Sequence, residues 1–208
     1  VRNFKINTNY QSIQANGKAS KAKSDSINIQ LNNINLDYLL GYTNVNEVIS
    51  IMGPVSGTAT IYSALSEPMV EAQASIKNGG LNGVYLGDVN AEAHLDRPNK
   101  RIMIKGDIVD STHHRVADIH GKVIPADSLW SLDIDCDSLN VSFIDFWTDG
   151  IISDPTGLGY GHLYLEGKKK DFLLVGKALI KNGSLTVPQT GVRYSFTDSI
   201  YLDSTAIR

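Results

Sequence analysis

Residues 88–96 read Asp-Val-Asn-Ala-Glu-Ala-His-Leu-Asp, DVNAEAHLD. Val89, Ala91, Ala93 and Leu95 fall on one side of an extended chain, and Asp88, Asn90, Glu92 and His94 fall on the other. Successive side chains of an extended backbone point to opposite sides, so this strict period of two is the mark of a strand with one wet face. The pattern continues outward. In RIMIKGDIVD (101–110), Ile102, Ile104 and Ile108 oppose Arg101, Lys105 and Asp107; in WSLDIDCDS (130–138), Trp130, Leu132, Ile134 and Cys136 oppose Ser131, Asp133, Asp135 and Asp137. Asn-Gly, Asp-Arg-Pro-Asn and Pro-Ala-Asp punctuate these runs at hairpin spacing, which predicts an all-β antiparallel meander with few long connections. Helical period is confined to NLDYLLGY (35–42) and NVSFIDFW (140–147), each opening on an Asn that can cap a helix. A short helix at each place, plugging one end of the sheet, is the expectation.

The chain says nearly the same thing twice. IKNGGL (76–81) returns as IKNGSL (180–185), and the 104-residue offset from Ile76 to Ile180 also relates Gly57 to Gly161 with no gap between. Upstream, INIQLNNINLDYLL from Ile27 lies over LDIDCDSLNVSFID from Leu132 at an offset of 105, and NGKA (16–19) lies over HGKV (120–123) at 104. Downstream, GVYLGDVNAEAHLD lies loosely over GVRYSFTDSIYLD. Two units, 1–104 and 105–208, account for the whole chain on this reading. With no Pro/Gly/Ser-rich linker near residue 104, continuous stacking of the two is expected over a pair of separate globules.

Composition narrows the function. With 208 residues, 42% of them hydrophobic, the chain is long enough to bury a core. A net charge of -3 and a pI near 5.9 give no electrostatic reason to expect nucleic acid, and the aromatic residues are not interleaved with Lys and Arg. The single cysteine, Cys136, reads as a small apolar strand residue. No apolar run reaches the length of a transmembrane helix; Val1 opens without an initiator Met or a signal-peptide pattern and the last residues, YLDSTAIR (201–208), read as strand, so a piece of a longer protein is expected.

On the apolar side, small residues sit between large ones: Val70, Ala72, Ala74 and Ile76 in one copy, Leu174, Gly176, Ala178 and Ile180 in the other. In a sandwich such gaps are filled from a facing sheet; in one curved sheet they leave a furrow. Periodicity alone leaves both open.

The order of features in GPVSGTATIYSALSEPMVEAQASIKNGGL (53–81) is a Gly-rich entry, two alternating strands parted by Pro, then Asn-Gly and Leu. It resembles the repeats of the TamB and AsmA-like family, and TGVRYSFTDSIYLD (190–203) is similar to segments of its Bacteroidetes-type members. The resemblance implies a long curved sheet, the β-taco, with an apolar interior. It also implies a periplasmic setting in a longer protein anchored in the inner membrane, and a role in phospholipid transport between membranes or in outer-membrane assembly with a barrel partner. Neighbouring repeats of the same chain would extend the sheet. The expected groove lining is Val70, Ala72, Ala74, Ile76, Val89, Ala91, Ala93, Leu95, Ile102, Ile104, Leu132, Ile134, Leu163, Leu165, Leu174, Ala178 and Ile180. Each acyl CH₂ moved from water to such a wall is worth about 0.8 kcal/mol, or roughly 10 kcal/mol for a lipid chain before ordering costs.

Other signals read as structure. GLGYGH (157–162) leads into a strand, where a phosphate loop needs a helix N-terminus. His113 and His114 are adjacent, so in an extended segment they diverge and cannot share a metal. Asp133, Asp135 and Asp137 share a face but spread over about 13 Å along a strand, too far for one calcium. GKKKD (167–171) reads as a soluble turn tip that can also meet anionic headgroups. No catalytic trio, carboxylate pair or cofactor motif is placed, so an enzyme is not expected. The rival readings are a surface adhesin or glycan-binding module, for which Trp147 and Tyr160 are the candidate platforms, and an outer-membrane barrel, which requires aromatic girdles.

Overall fold

The computed structural model describes residues 4–22, 24–35, 50–148, 150–168 and 171–202. Its strands are β1 (Phe4–Asn7), β2 (Ser12–Gly17), β3 (Ser26–Asn35), β4 (Ile51–Met52), β5 (Pro54–Tyr62), β6 (Met69–Leu81) and β7 (Val84–Asp96). They continue as β8 (Arg101–Val109), β9 (Arg115–Ile124), β10 (Leu129–Asn140), β11 (Ser153–Lys168), β12 (Asp171–Val187) and β13 (Val192–Leu202). All thirteen belong to one open antiparallel sheet, in chain order except that the two-residue β4 pairs with β6 beside β5. Most neighbours are joined by short polar connections, which leave each strand no partner nearer than the next, while the link from β10 to β11 carries the apolar segment 141–152.

β4 and β5 act as one strand broken at Gly53, whose φ of 103° only glycine adopts without strain. A side chain there would also collide with Ile76 and the Lys77 carbonyl, each 2.7 Å from the site of a Cβ. β7 and β8 pair from Asp88–Val109 to Asp96–Arg101, so the sheet runs on unbroken through residue 104, which lies inside β8.

Two expectations are revised. The Asn-Gly pairs of the twin motifs are not turns: Asn78 and Asn182 sit inside β6 and β12 at bulges, with φ of 50° and 53°. Asn tolerates the left-handed region, and Asp88 satisfies the bulge by accepting from the Asn78 N–H (2.9 Å) and the Lys77 ammonium (2.6 Å). The hairpin between β6 and β7 turns four residues later, at Asn82-Gly83, where both φ values are positive. The helix expected over 140–147 is a 3-10 helix, Val141–Trp147, capped by Asn140, whose side chain accepts from the Ser142 N–H at 3.0 Å. Its last turn closes with a three-residue bond from the Thr148 N–H to the Asp145 carbonyl. The counterpart at 35–42 lies, beyond Asn35, outside the described residues.

The core gathers at the end of the sheet that this 3-10 helix covers. Ile108, Val116, Ala117, Leu139 and Phe143 form one buried cluster, flanked by Leu81, Val84, Leu86 and Val89. Two consecutive β9 residues enter it because the pairing slips between Ile108–Ala117 and Val109–Arg115, leaving Val116 as the extra residue of a bulge. The Asn140 amide reaches the Tyr85 carbonyl at 3.5 Å, bringing the end of β10 to the β6–β7 hairpin across two intervening strands. A second cluster joins Val141, Ala178 and Ile180 to Phe196 and Ile200. Among the described residues no helix is long and apolar enough to cross a membrane.

Candidate functional site

Residues directly opposed across an antiparallel ladder share a face, so the pairing registers can be read crosswise. One row runs Phe4, Ala15, Ile29, Ala59, Ala72, Ala93, Ile104, Gly121, Leu132, Leu165, Leu174. The next runs Ile6, Ile13, Leu31, Gly57, Ala74, Ala91, Gly106, Ile119, Ile134, Leu163, Gly176, Leu202. A third row is Ile34, Val55, Ile76, Val89, Ile108, Ala117, Cys136, Gly161, Ala178, Ile200. None of the three contains a polar side chain. On the opposite face the row between the first two reads Lys5, Gln14, Gln30, Thr58, Gln73, Glu92, Lys105, His120, Asp133, Tyr164, Val175.

Every residue of the expected lining lies on the apolar face. Ala72, Ala93, Ile104, Leu132, Leu165 and Leu174 are in the first row; Ala74, Ala91, Ile134 and Leu163 are in the second; Ile76, Val89 and Ala178 are in the third. Leu95 and Ile102 pair beyond the first row, beside Val70, and Ile180 pairs with Gly159 beyond the third. Only Ile102, Leu163, Leu165, Ala178 and Ile180 are buried; the others are half-buried, and the described strands all belong to the one sheet that carries them. Gly57, Ala59, Ala72, Ala74, Ala91, Ala93 and Gly106 form a contiguous floor of small residues, with Ile29 and Leu31 on one side and Ile104 and Ile119 on the other. Elsewhere a neighbour fills the notch that a glycine leaves. Trp130 lies over Gly167, whose Cβ would come within 2.1 Å of the indole, and Leu132 lies over Gly121.

The face deepens at one end into an apolar cleft of about 280 Å³. Leu163, Ala178 and Ile180 of the expected lining contribute to it. So do Leu139, Val141, Phe143, Ile144, Ile151, Leu185 and Phe196, which periodicity did not nominate. The crowded apolar run at 140–147 was the available signal, but nothing local shows that a plug at the end of a strand lies over that strand's apolar face. Gly159 keeps the cleft open: a Cβ there would meet Val141 at 2.9 Å. Cys136 also lines it, and burial pushes its thiol up to about 11, which makes it an inert wall residue.

The polar face carries exposed pairs. His162 donates through Nδ1 to the Asp135 carboxylate at 2.9 Å and stands 3.4 Å through Nε2 from Asp133, so that the Asp135 hydrogen bond raises its pKa. Asp137 faces His114 at 3.6 Å instead, and the three carboxylates do not converge. His113 and His114 occupy the β8–β9 turn, whose backbone is held by the Asp110 carboxylate. GLGYGH is strand backbone within β11, where Gly161 allows close approach to β12. Lys181 stacks on Tyr160 at 4.2 Å, covering the ring proposed as a glycan platform, and the Trp147 side chain lies outside the described residues. Among the described residues no group of His, Cys, Asp or Glu is arranged to hold a metal.

Comparison with protein-family profiles, curated proteins and solved structures finds no match to this chain.

Proposed function

We propose that this chain is a non-enzymatic, lipid-shielding β-sheet segment, whose apolar face covers acyl chains in transit or during outer-membrane assembly. The observation that carries the reading is the apolar face itself: three apolar rows cross the sheet, the first two largely half-buried and the third partly covered by the 3-10 helix, and all the described strands belong to one sheet. A contiguous apolar face is the kind of surface that meets a partner. Acyl chains suit a wall that is uniformly apolar along the sheet, because sliding by one strand exchanges one set of aliphatic contacts for an equivalent set. At about 0.8 kcal/mol per buried CH₂, even half-burial of a lipid chain outweighs its loss of freedom.

The finer architecture belongs to the same proposal: a curved, taco-like sheet made of two tandem units. Its support is that the pairing registers repeat. Ala15–Ile29, Leu31–Gly57 and Gly57–Ala74 recur as Ile119–Ile134, Cys136–Gly161 and Gly161–Ala178. The bulges recur too, at Asn33 and Ser138 and at the broken strand, Gly53 and Gly157, all with positive φ. Similarity of the motifs to the TamB and AsmA-like family supports a periplasmic setting, an inner-membrane anchor elsewhere in a longer chain and an outer-membrane barrel partner.

Mass spectrometry of organic extracts of the purified chain tests the reading. Co-purifying phospholipid in near-stoichiometric amount is expected; extracts free of lipid from a folded preparation, even after incubation with vesicles, would refute it. The adhesin alternative has no observation in its favour, since Tyr160 is already covered.

A further inference from the structure

Connections alternate between the two ends of an antiparallel meander, and here the two ends differ in charge. The end formed by the described residues of 18–25, 63–68, 97–100 and 125–128 carries Lys18, Lys21, Arg97 and Lys100 against Asp25, Glu67 and Asp127, and Lys168 closes β11 at the same end. The opposite end carries Asp110 and Asp145, and its described connections contain no Lys or Arg. Within the basic end, three loops enclose a cavity of about 260 Å³. Lys21, Arg97 and Lys100 line it with one carboxylate, Glu67, and with Tyr62, Ser63 and Ser66, and Leu95 and Met69 form its apolar wall.

The cavity is held by backbone. The Ser63 N–H donates to the Asp25 carbonyl at 3.4 Å and the Leu65 N–H to the Ser20 carbonyl at 3.1 Å, tying the second loop to the first. Arg97 stacks on the Tyr62 ring at 4.7 Å, which aims its guanidinium while leaving its donors unused by any carboxylate among the described residues. Lys100 meets Glu67 only at 3.9 Å with both side chains about 70% exposed, a pair too long and too wet to neutralise the site. Ser63, 6% exposed, is the buried residue of the lining.

From this geometry we infer that the cavity binds the phosphate of an anionic phospholipid whose acyl chain lies along the apolar face. The inference rests on the lipid reading for the source of the phosphate. Two observations select a lipid over a free anion. Leu95 belongs at once to the cavity wall and to the apolar face, opposite Ile102, so headgroup site and chain site are contiguous. Leu65, 61% exposed, projects from the loop beside the cations, the pairing of an apolar tip with basic side chains that suits a membrane interface.

The test is co-sedimentation of the whole chain with vesicles of phosphatidylcholine alone and of phosphatidylcholine mixed with phosphatidylglycerol. Wild type is expected to prefer the anionic vesicles, and Lys21→Gln, Arg97→Gln and Lys100→Gln to weaken that preference roughly fivefold per charge. Lys105→Gln, on the polar face in mid-sheet, is expected to leave it unchanged. A triple variant that binds like wild type, or a wild type that does not distinguish the vesicles, overturns the inference. So does binding of inorganic phosphate, followed through shifts of the Arg97 side-chain resonances, with no vesicle preference: the site would then serve a soluble phosphate. Lipid extracted from the same preparations separates the two proposals. A triple variant that keeps its extracted lipid but loses vesicle preference supports the headgroup site. Extractable lipid without any anionic preference sinks this site alone, and anionic preference without extractable lipid sinks the groove and, with it, the placement of the acyl chain along the apolar face.

Discussion

Gly57 faces Ala74 so closely that a Cβ on it would come within 2.2 Å of the Gln73 carbonyl oxygen and 2.8 Å of the Ala74 Cα. Gly161 faces Ala178 in the same way, with 2.3 Å to the Lys177 carbonyl and 2.9 Å to the Ala178 Cα. The atoms met are backbone, which cannot rotate aside. Gly57→Val and Gly161→Val are each expected to push two strands apart and cost about 1–3 kcal/mol, the range for overpacking. Urea unfolding measures this, and a change below roughly 0.5 kcal/mol at both sites would show that the ladder yields easily.

A charge on the small-residue floor separates the lipid reading from simple folding. Ala74→Asp puts a carboxylate among Gly57, Ala72 and Ala91 on the half-exposed face, where water still reaches it, so a folded protein with several-fold less bound lipid is expected. Gln73→Asp places the same charge on the polar face and is expected to leave lipid content unaltered. Equal lipid in the two variants would remove the floor from the proposed path.

Phe143 holds the cleft end together, packed with Ile108, Val116, Ala117 and Leu139 at 7% exposure. Phe143→Ala is expected to cost about 3–5 kcal/mol, because the 3-10 helix is too short to collapse into the space left. Thermal unfolding followed by circular dichroism gives the value.

His162 provides a signed pH effect. Its pKa is raised in the folded state by the hydrogen bond to Asp135, so the pair's contribution is complete below the unfolded value of 6.5 and fades as pH rises through the folded one. The group is more than half exposed, so screening keeps the effect small. The melting temperature should fall slightly from pH 6 to pH 8, and His162→Gln should flatten that slope.

Cys136, with its thiol pushed up to about 11, is expected to react with iodoacetamide at pH 8 much more slowly than the same residue in the urea-unfolded chain. Equal rates would mean that the cleft is open to solvent and reagent at Cys136.

The alternation in DVNAEAHLD, RIMIKGDIVD and WSLDIDCDS was enough to set which side chains share a face, since period two is a local property of an extended backbone that no tertiary contact alters. It placed Val89 and Ile108, or Ile134 and Leu163, on one apolar surface before any pairing was known. Asn78 and Asn182 show the limit of local reading. The Asn-Gly pair signals a backbone that turns left-handed, and only the neighbouring strand decides whether that residue closes a hairpin or swells into a bulge. The cleft was less legible still, because Phe143 and Phe196 reach Ile180 from segments far apart in the chain. Whether the apolar face would be covered could not be read from periodicity at all: a sandwich core and an open wall carry the same alternation. That choice lies in the topology, which among the described residues sets the strands side by side in a single sheet.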